Sequence, residues 1–231
     1  MAGLTGVKPS ASYKSLLRVD DSTNGIDGTL EVVTDGEGTE SPLKLSSTKV
    51  GGYTLYAHYG IDEANSQSFS AATHYALPFM NMGINNHSDI TLGSATSSTF
   101  NDTNPSSSKT LSSGAAGHAI TLWYVVDDIT VDAVHWLHGA DHGTGDSTAA
   151  HLMAYTIDTD NGSTGGDLSS GVVVADGATI TNAGYEQVYY QSMTIQSANV
   201  DAGDVICFTF AYASVTGTDY GINATVKYRL R

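Results

Sequence analysis

The chain has 231 residues, 40% of them apolar and 14% charged, and a formal net charge of −15. The apolar share suffices for the core of one or two domains, while so acidic a chain repels phosphate backbones and anionic lipid, which excludes nucleic acid and membrane surfaces as expected partners. The place of the missing charges is taken by Ser, Thr, Asn and 25 Gly, residues that favour turns and strands over helix interiors, so an all-β fold is expected.

The first residues, Met1 to Gly6, lack the basic start and apolar run of a signal peptide, and no later stretch is apolar over the length of a bilayer span. Synthesis in the cytoplasm without Sec export or membrane insertion is expected. Residues 10 to 50 then alternate short apolar pieces, Leu16-Leu17-Arg18-Val19 and Leu30-Glu31-Val32-Val33, with turn signals at Asn24-Gly25 and Asp35-Gly36. Both dipeptides supply residues that tolerate positive φ. Pieces of four residues cannot build a core of their own. Residues 1–50 are therefore expected to form an extended anchoring arm that lies on neighbouring subunits, with Leu16, Leu17, Val19, Leu30 and Val32 as its contacts.

Within the arm, Asp20, Ser22, Asn24, Gly25 and Glu31 fall on positions one, three, five, six and twelve of a calcium-binding loop. Asp27 stands where such loops carry an apolar residue, and the flanks read as strands. A turn whose acids face water is the better reading, and no metal or other cofactor is expected.

The string from Ser15 to Asp27, together with Leu30-Glu31-Val32-Val33-Thr34-Asp35-Gly36-Glu37-Gly38-Thr39, resembles a segment of structural proteins of tailed bacteriophages, particularly marine and aquatic ones. The resemblance covers about a sixth of the chain. It implies a virion protein in which the segment precedes a β-rich fibre or surface domain.

Residues 51–231 read as that domain, a β-sandwich of jelly-roll type. Runs of β-branched and aromatic residues separated by Gly, Ser, Asn and Asp predict strands over 53–58, 74–80, 119–126, 130–138, 151–157, 171–175, 188–195, 205–212 and 221–230. His135, His138, His142 and His151 lie close in sequence with Asp141 and Asp146, but glycines make the segment a loop, and a spacing of three sends His135 and His138 to opposite faces of a strand. Metal is not expected there. No nucleophile elbow, phosphate-cradling loop or zinc-protease motif occurs, and the paired acids read as solvated turns, so no enzyme activity is expected. Trp123, Tyr124, Trp136, Tyr189 and Tyr190 are candidates for sugar stacking or subunit contact, although most aromatics of a sandwich fill its core.

Cys207 is the sole cysteine and reads as an inert strand residue. Val200-Asp201-Ala202-Gly203-Asp204-Val205-Ile206 resembles the turn-to-strand phrase of viral-fibre jelly rolls and of trimeric sandwiches like those of the tumour-necrosis-factor and complement families, with Gly203 supplying the bend and Asp204 bonding the turn backbone. Between Gly51 and Val226 the chain holds one basic residue, Lys109, among seventeen acids; Lys227, Arg229 and Arg231 then alternate along the last strand. They are expected either to blunt a sheet edge or to dock on an acidic neighbour. The expectation that follows is a homotrimeric capsid decoration, cement or head-fibre protein on the virion surface, partnered by itself and by capsid or tail proteins. The alternatives are a tail-fibre adhesin for host surface glycan, or a carbohydrate-binding module or hydrolase.

Overall fold

A computed structural model describes residues 17–19, 26–61, 73–80, 91–94, 105–110, 120–140, 144–158, 167–184, 187–213 and 220–231. There is no helix among them, and the chain is all-β. It divides into two compact units, residues 1–55 with 229–231 and residues 56–228.

In the first unit, β1 (Arg18–Val19), β2 (Glu31–Thr34), β3 (Glu40–Leu45) and β4 (Val50–Gly51) pair in that order as an antiparallel sheet. The reversal between β2 and β3 is built on Asp35, whose Oδ1 accepts the backbone N–H groups of Glu37 at 2.9 Å and Thr39 at 2.7 Å. Those donors, that of Thr39 foremost, hold its carboxyl below the usual range. The left-handed position is Gly38, at φ 87°, and not Gly36 as the dipeptide signal suggested. Val33 is the one large apolar side chain fully buried among the described residues of this stretch. The short pieces thus pair with one another, yet they acquire almost no core.

The second unit is built from two sheets. Its strands are β5 (Leu55–Ile61), β6 (Thr73–Ala76), β7 (Thr91–Ser94), β8 (Lys109–Thr110), β9 (Trp123–Tyr124), β10 (Ile129–Ala140) and β11 (Ser147–Ile157). They continue with β12 (Asp167–Asp176), β13 (Ile180–Thr181), β14 (Gln187–Ser192), β15 (Thr194–Ile195), β16 (Asn199–Val200), β17 (Asp204–Tyr212) and β18 (Tyr220–Leu230). One sheet runs β14-β10-β18-β5, with β16 also on β10; the other runs β15-β12-β11-β17-β6-β7, with β13, β8 and β9 on β11, β12 and β17. Most predicted strands have an observed counterpart, but 119–126 shrinks to the two residues of β9, 74–80 ends at Ala76, and 188–195 divides into β14 and β15; the two-residue strands β8, β13 and β16 and the strand β7 are additions.

Alternation decides what lies between the sheets. Phe208 of β17 meets Tyr59 and Trp136, and Phe210 meets Trp136, His138 and Tyr220, at ring separations of 5.1 to 6.2 Å. Tyr59 spans the gap and donates its hydroxyl to the Ile206 carbonyl at 3.0 Å. The opposite face of β17 is buried too, with Val205 and Cys207 packed among Ala76, Met153, Tyr155 and Leu168. Part of that cover is the segment before β8: Tyr155 donates its hydroxyl to the Ser106 carbonyl at 2.7 Å, and Gly171 N–H donates to the Ser107 carbonyl at 2.8 Å.

Gly203 adopts φ 97°, as the turn before β17 requires. The turn backbone is held by a different acid than expected: Asp128 Oδ1 accepts the Ala202 N–H at 2.8 Å, whereas Asp204 Oδ1 accepts the Thr156 hydroxyl at 3.3 Å. Asp204 opens the strand opposite Thr156, so its side chain is committed across the ladder.

A Cβ on Gly171 would run into the Tyr155 ring and lie 2.9 Å from the Ser107 Cα. Gly171→Ala should therefore destabilise the protein by about 1–3 kcal/mol, seen as a lower midpoint in urea unfolding; an unchanged midpoint would mean that the covering segment is not held against Tyr155.

Candidate functional site

The outward face of β10, β14 and β18 carries a shallow groove of about 190 Å³ lined by His135, Trp136, Leu137, Tyr190, Asn223 and Thr225. The register sets Leu137 opposite Tyr190 and His135 opposite Ser192, while odd-numbered positions of β18 bring Asn223 and Thr225 to the same face. Tyr190, on the end strand β14 beside β10, is 65% exposed. Its ring stacks on His135 at 5.8 Å and 14°, and its hydroxyl bonds His135 Nδ1 at 2.9 Å. Across the groove, Thr225 Oγ1 bonds His58 Nδ1 at 3.1 Å. Trp136 contributes little beyond its edge, because its ring is buried and its Nε1 donates to Gln191 Oε1 at 3.1 Å.

The other two described histidines singled out above occupy different places. His138 is wholly buried between the sheets, where Trp136, Tyr189, Phe210 and Tyr220 surround its ring at 5.2 to 5.7 Å. Its Nδ1 bonds Thr148 Oγ1 at 3.4 Å, and its Nε2 meets no hydrogen-bond partner among the described residues. Burial pushes its pKa down to about 4. His151 lies on β11, with Nε2 3.2 Å from Asp176 Oδ1 and its ring edge-on to His74 at 5.2 Å. Burial pushes the pKa of His151 to about 4 as well and raises that of Asp176. At neutral pH this contact is therefore a hydrogen bond from a neutral imidazole, not a salt bridge.

His135 and His138 face opposite sides of β10, as their spacing requires, and His151 belongs to the other sheet. His142 lies outside the described residues. Among the described residues no group of three His, Cys, Asp or Glu converges as a metal site. Of the calcium-like spacing, Asp20 to Gly25 also lies outside them; Asp27 Oδ1 accepts the Thr29 N–H at 2.7 Å, and Glu31 opens β2.

The proposed anchoring side chains are spread along the first unit. Leu16 is outside the described residues, Leu17 is exposed, and Val19, Leu30 and Val32 are half-buried. Lys227 is half-buried on β18, while Arg229 and Arg231 are exposed. Cys207 is buried, and burial raises its thiol pKa, which suits an unreactive core residue. Tyr190 was legible as a candidate, whereas His58, Asn223 and Thr225 were not, because only the sheet pairing brings them near it.

Comparison with known proteins finds no family model that matches this sequence and no curated protein similar to it.

Two of the buried histidines, His138 and His151, fix a pH response. An unfolded histidine takes up a proton near pH 6.5 and these two only near 4, so the unfolded chain binds more protons in between, and stability falls as pH drops through that window. The loss amounts to about 3 kcal/mol for His138, and less for His151, whose imidazolium Asp176 would stabilise. Urea unfolding at pH 7 and pH 4.5 should show the loss, and His138→Gln should flatten it by about one proton; an equal slope in both proteins would contradict the neutral buried ring.

Proposed function

We propose that this chain is a structural protein of a virion surface, a capsid decoration, cement or head-fibre protein that anchors through its N-terminal unit and displays its sandwich outward. The observation that carries this reading is the contrast between the two units. Among described residues 17–55, Val33 is the one fully buried large apolar side chain, while Leu17, Ile26, Val50 and Tyr53 are 44% to 65% exposed. A four-stranded sheet with that little core gains stability by covering its apolar side chains with another chain. The residues that resemble phage structural proteins fall in this same unit.

The strand order supports the outward part of the reading. Apart from the β11–β12 pair, the long sandwich strands pass from one sheet to the other along the chain: β5, β10, β14 and β18 belong to one, β6, β11, β12 and β17 to the other, and the last strand pairs beside the first. This order supports the jelly-roll reading of the sandwich, in which two Greek keys interlock. We take the assembled form to be a homotrimer, on the likeness of Val200 to Ile206 to the corresponding turn of trimeric sandwiches. The mechanism is mechanical: each anchoring sheet adds a weak contact, and many copies on one particle act together by avidity.

A second reading, a tail fibre or spike that binds host glycan, is favoured by the exposed aromatic groove. Quantitative mass spectrometry of purified particles separates the two. Abundance near that of the major capsid protein is expected for decoration, a few copies per particle would mean tail attachment, and absence would refute both. Deleting residues 1–54 should abolish incorporation while leaving a soluble sandwich; unchanged incorporation would refute the anchoring role.

A further inference from the structure

We infer that the groove on the outward face of β10, β14 and β18 binds one ring of an uncharged saccharide chain. Tyr190 supplies the platform. Its ring lies nearly parallel to that of His135, with centroids 5.8 Å apart, and the residue is 65% exposed. The hydrogen bond from its hydroxyl to His135 Nδ1, 2.9 Å, holds the ring in place before any ligand arrives. A fixed aromatic face receives the C–H face of a sugar at little cost in side-chain entropy.

The polar side of the groove fits the same ligand. Asn223 offers both an amide oxygen and an NH₂ group, and Thr225 offers a hydroxyl already oriented by His58 at 3.1 Å. Sugar hydroxyls both donate and accept, so they match groups that do the same. In a chain of net charge −15, none of the six lining residues is Asp, Glu, Lys or Arg, which complements a neutral ligand. The volume, about 190 Å³, lies below the roughly 300–1,000 Å³ of sites that engulf a whole small molecule. An open groove of that size suits one residue of an extended polymer. Glycoside cleavage needs two flanking carboxyl groups, and the lining provides none, so the site binds without cutting.

This inference gives a ligand class to the receptor reading and rests on outward display only for its biological use. Its test is made on the purified full chain, so it succeeds or fails independently of particle composition. The probes are maltopentaose, cellopentaose and chitotetraose as neutral chains, and tetragalacturonate as an anionic one, followed by saturation-transfer NMR and calorimetry. Saturable binding of at least one neutral chain is expected, weakened about tenfold or more by Tyr190→Ala and by Asn223→Ala. Val188→Ala, on the same strand but outside the groove, should bind as the parent does. Binding of no neutral probe, or binding that both groove variants leave unchanged, would overturn the inference. So would a change of sedimentation in Tyr190→Ala, which would make the groove a contact between copies.

Discussion

Two phenylalanines on one strand hold the sandwich together. Phe208 and Phe210 project from β17 into the space between the sheets and touch side chains of β5, β10 and β18, three strands of the opposite sheet. Burying each contributes about 1.5–3 kcal/mol, and each ring pair adds about 0.5–1.5 kcal/mol. Because Phe208 and Phe210 are two apart, both reach Trp136, each at a ring separation of 6.2 Å, and so fix the height at which β10 crosses. That in turn fixes which side chains of β10 face outward. The position of His135 and Leu137 in the groove is thus a consequence of core packing.

The same packing explains why an ionisable group is tolerated inside. His138 lies one alternation beyond Trp136 on the inward face, and no reversal of the strand could expose it without burying Leu137 and exposing Trp136. The ring is kept as a neutral, flat aromatic body among aromatic neighbours, which costs far less at neutral pH than in acid. The first unit shows the reverse relation. Its backbone ladder is satisfied, with Asp35 and Gly38 closing the hairpin, but its apolar side chains have not been collected onto one buried face. Hydrogen bonding alone contributes little net stability, so this sheet gains far less from its own packing than the sandwich does.

Sequence periodicity made the long strands legible, and with them the faces. The alternation Ile206, Phe208, Phe210, Tyr212 and the opposed faces of His135 and His138 both follow from a period of two. It failed where the deciding contact is remote. The second face of β17 reads as merely small in the sequence, yet Cys207 and Thr209 are wholly buried, and around Cys207 the cover comes from Ala76, Met153, Tyr155 and Leu168 of three other strands. Two-residue strands such as β8 and β13 have no periodicity to read. The positive φ at Gly38 was missed for a local reason: Asp35 accepts N–H groups two and four residues on, which moves the left-handed position toward the end of the loop.

This difference between the sheets also decides where a ligand can be met. On the sheet that contains β11 and β17, both faces of the central strands are buried, so His151, Met153 and Cys207 present nothing to solvent. On the sheet that contains β10 and β18, only the inward face is closed, and Leu137, Val188 and Tyr190 stand exposed on the outer one. Antiparallel sheets of this kind normally turn a polar face to water. An outer face that instead keeps an aromatic ring ordered by a histidine, beside an amide and a hydroxyl, retains apolar surface that contributes nothing to folding. That is the surface which the inferred saccharide would cover.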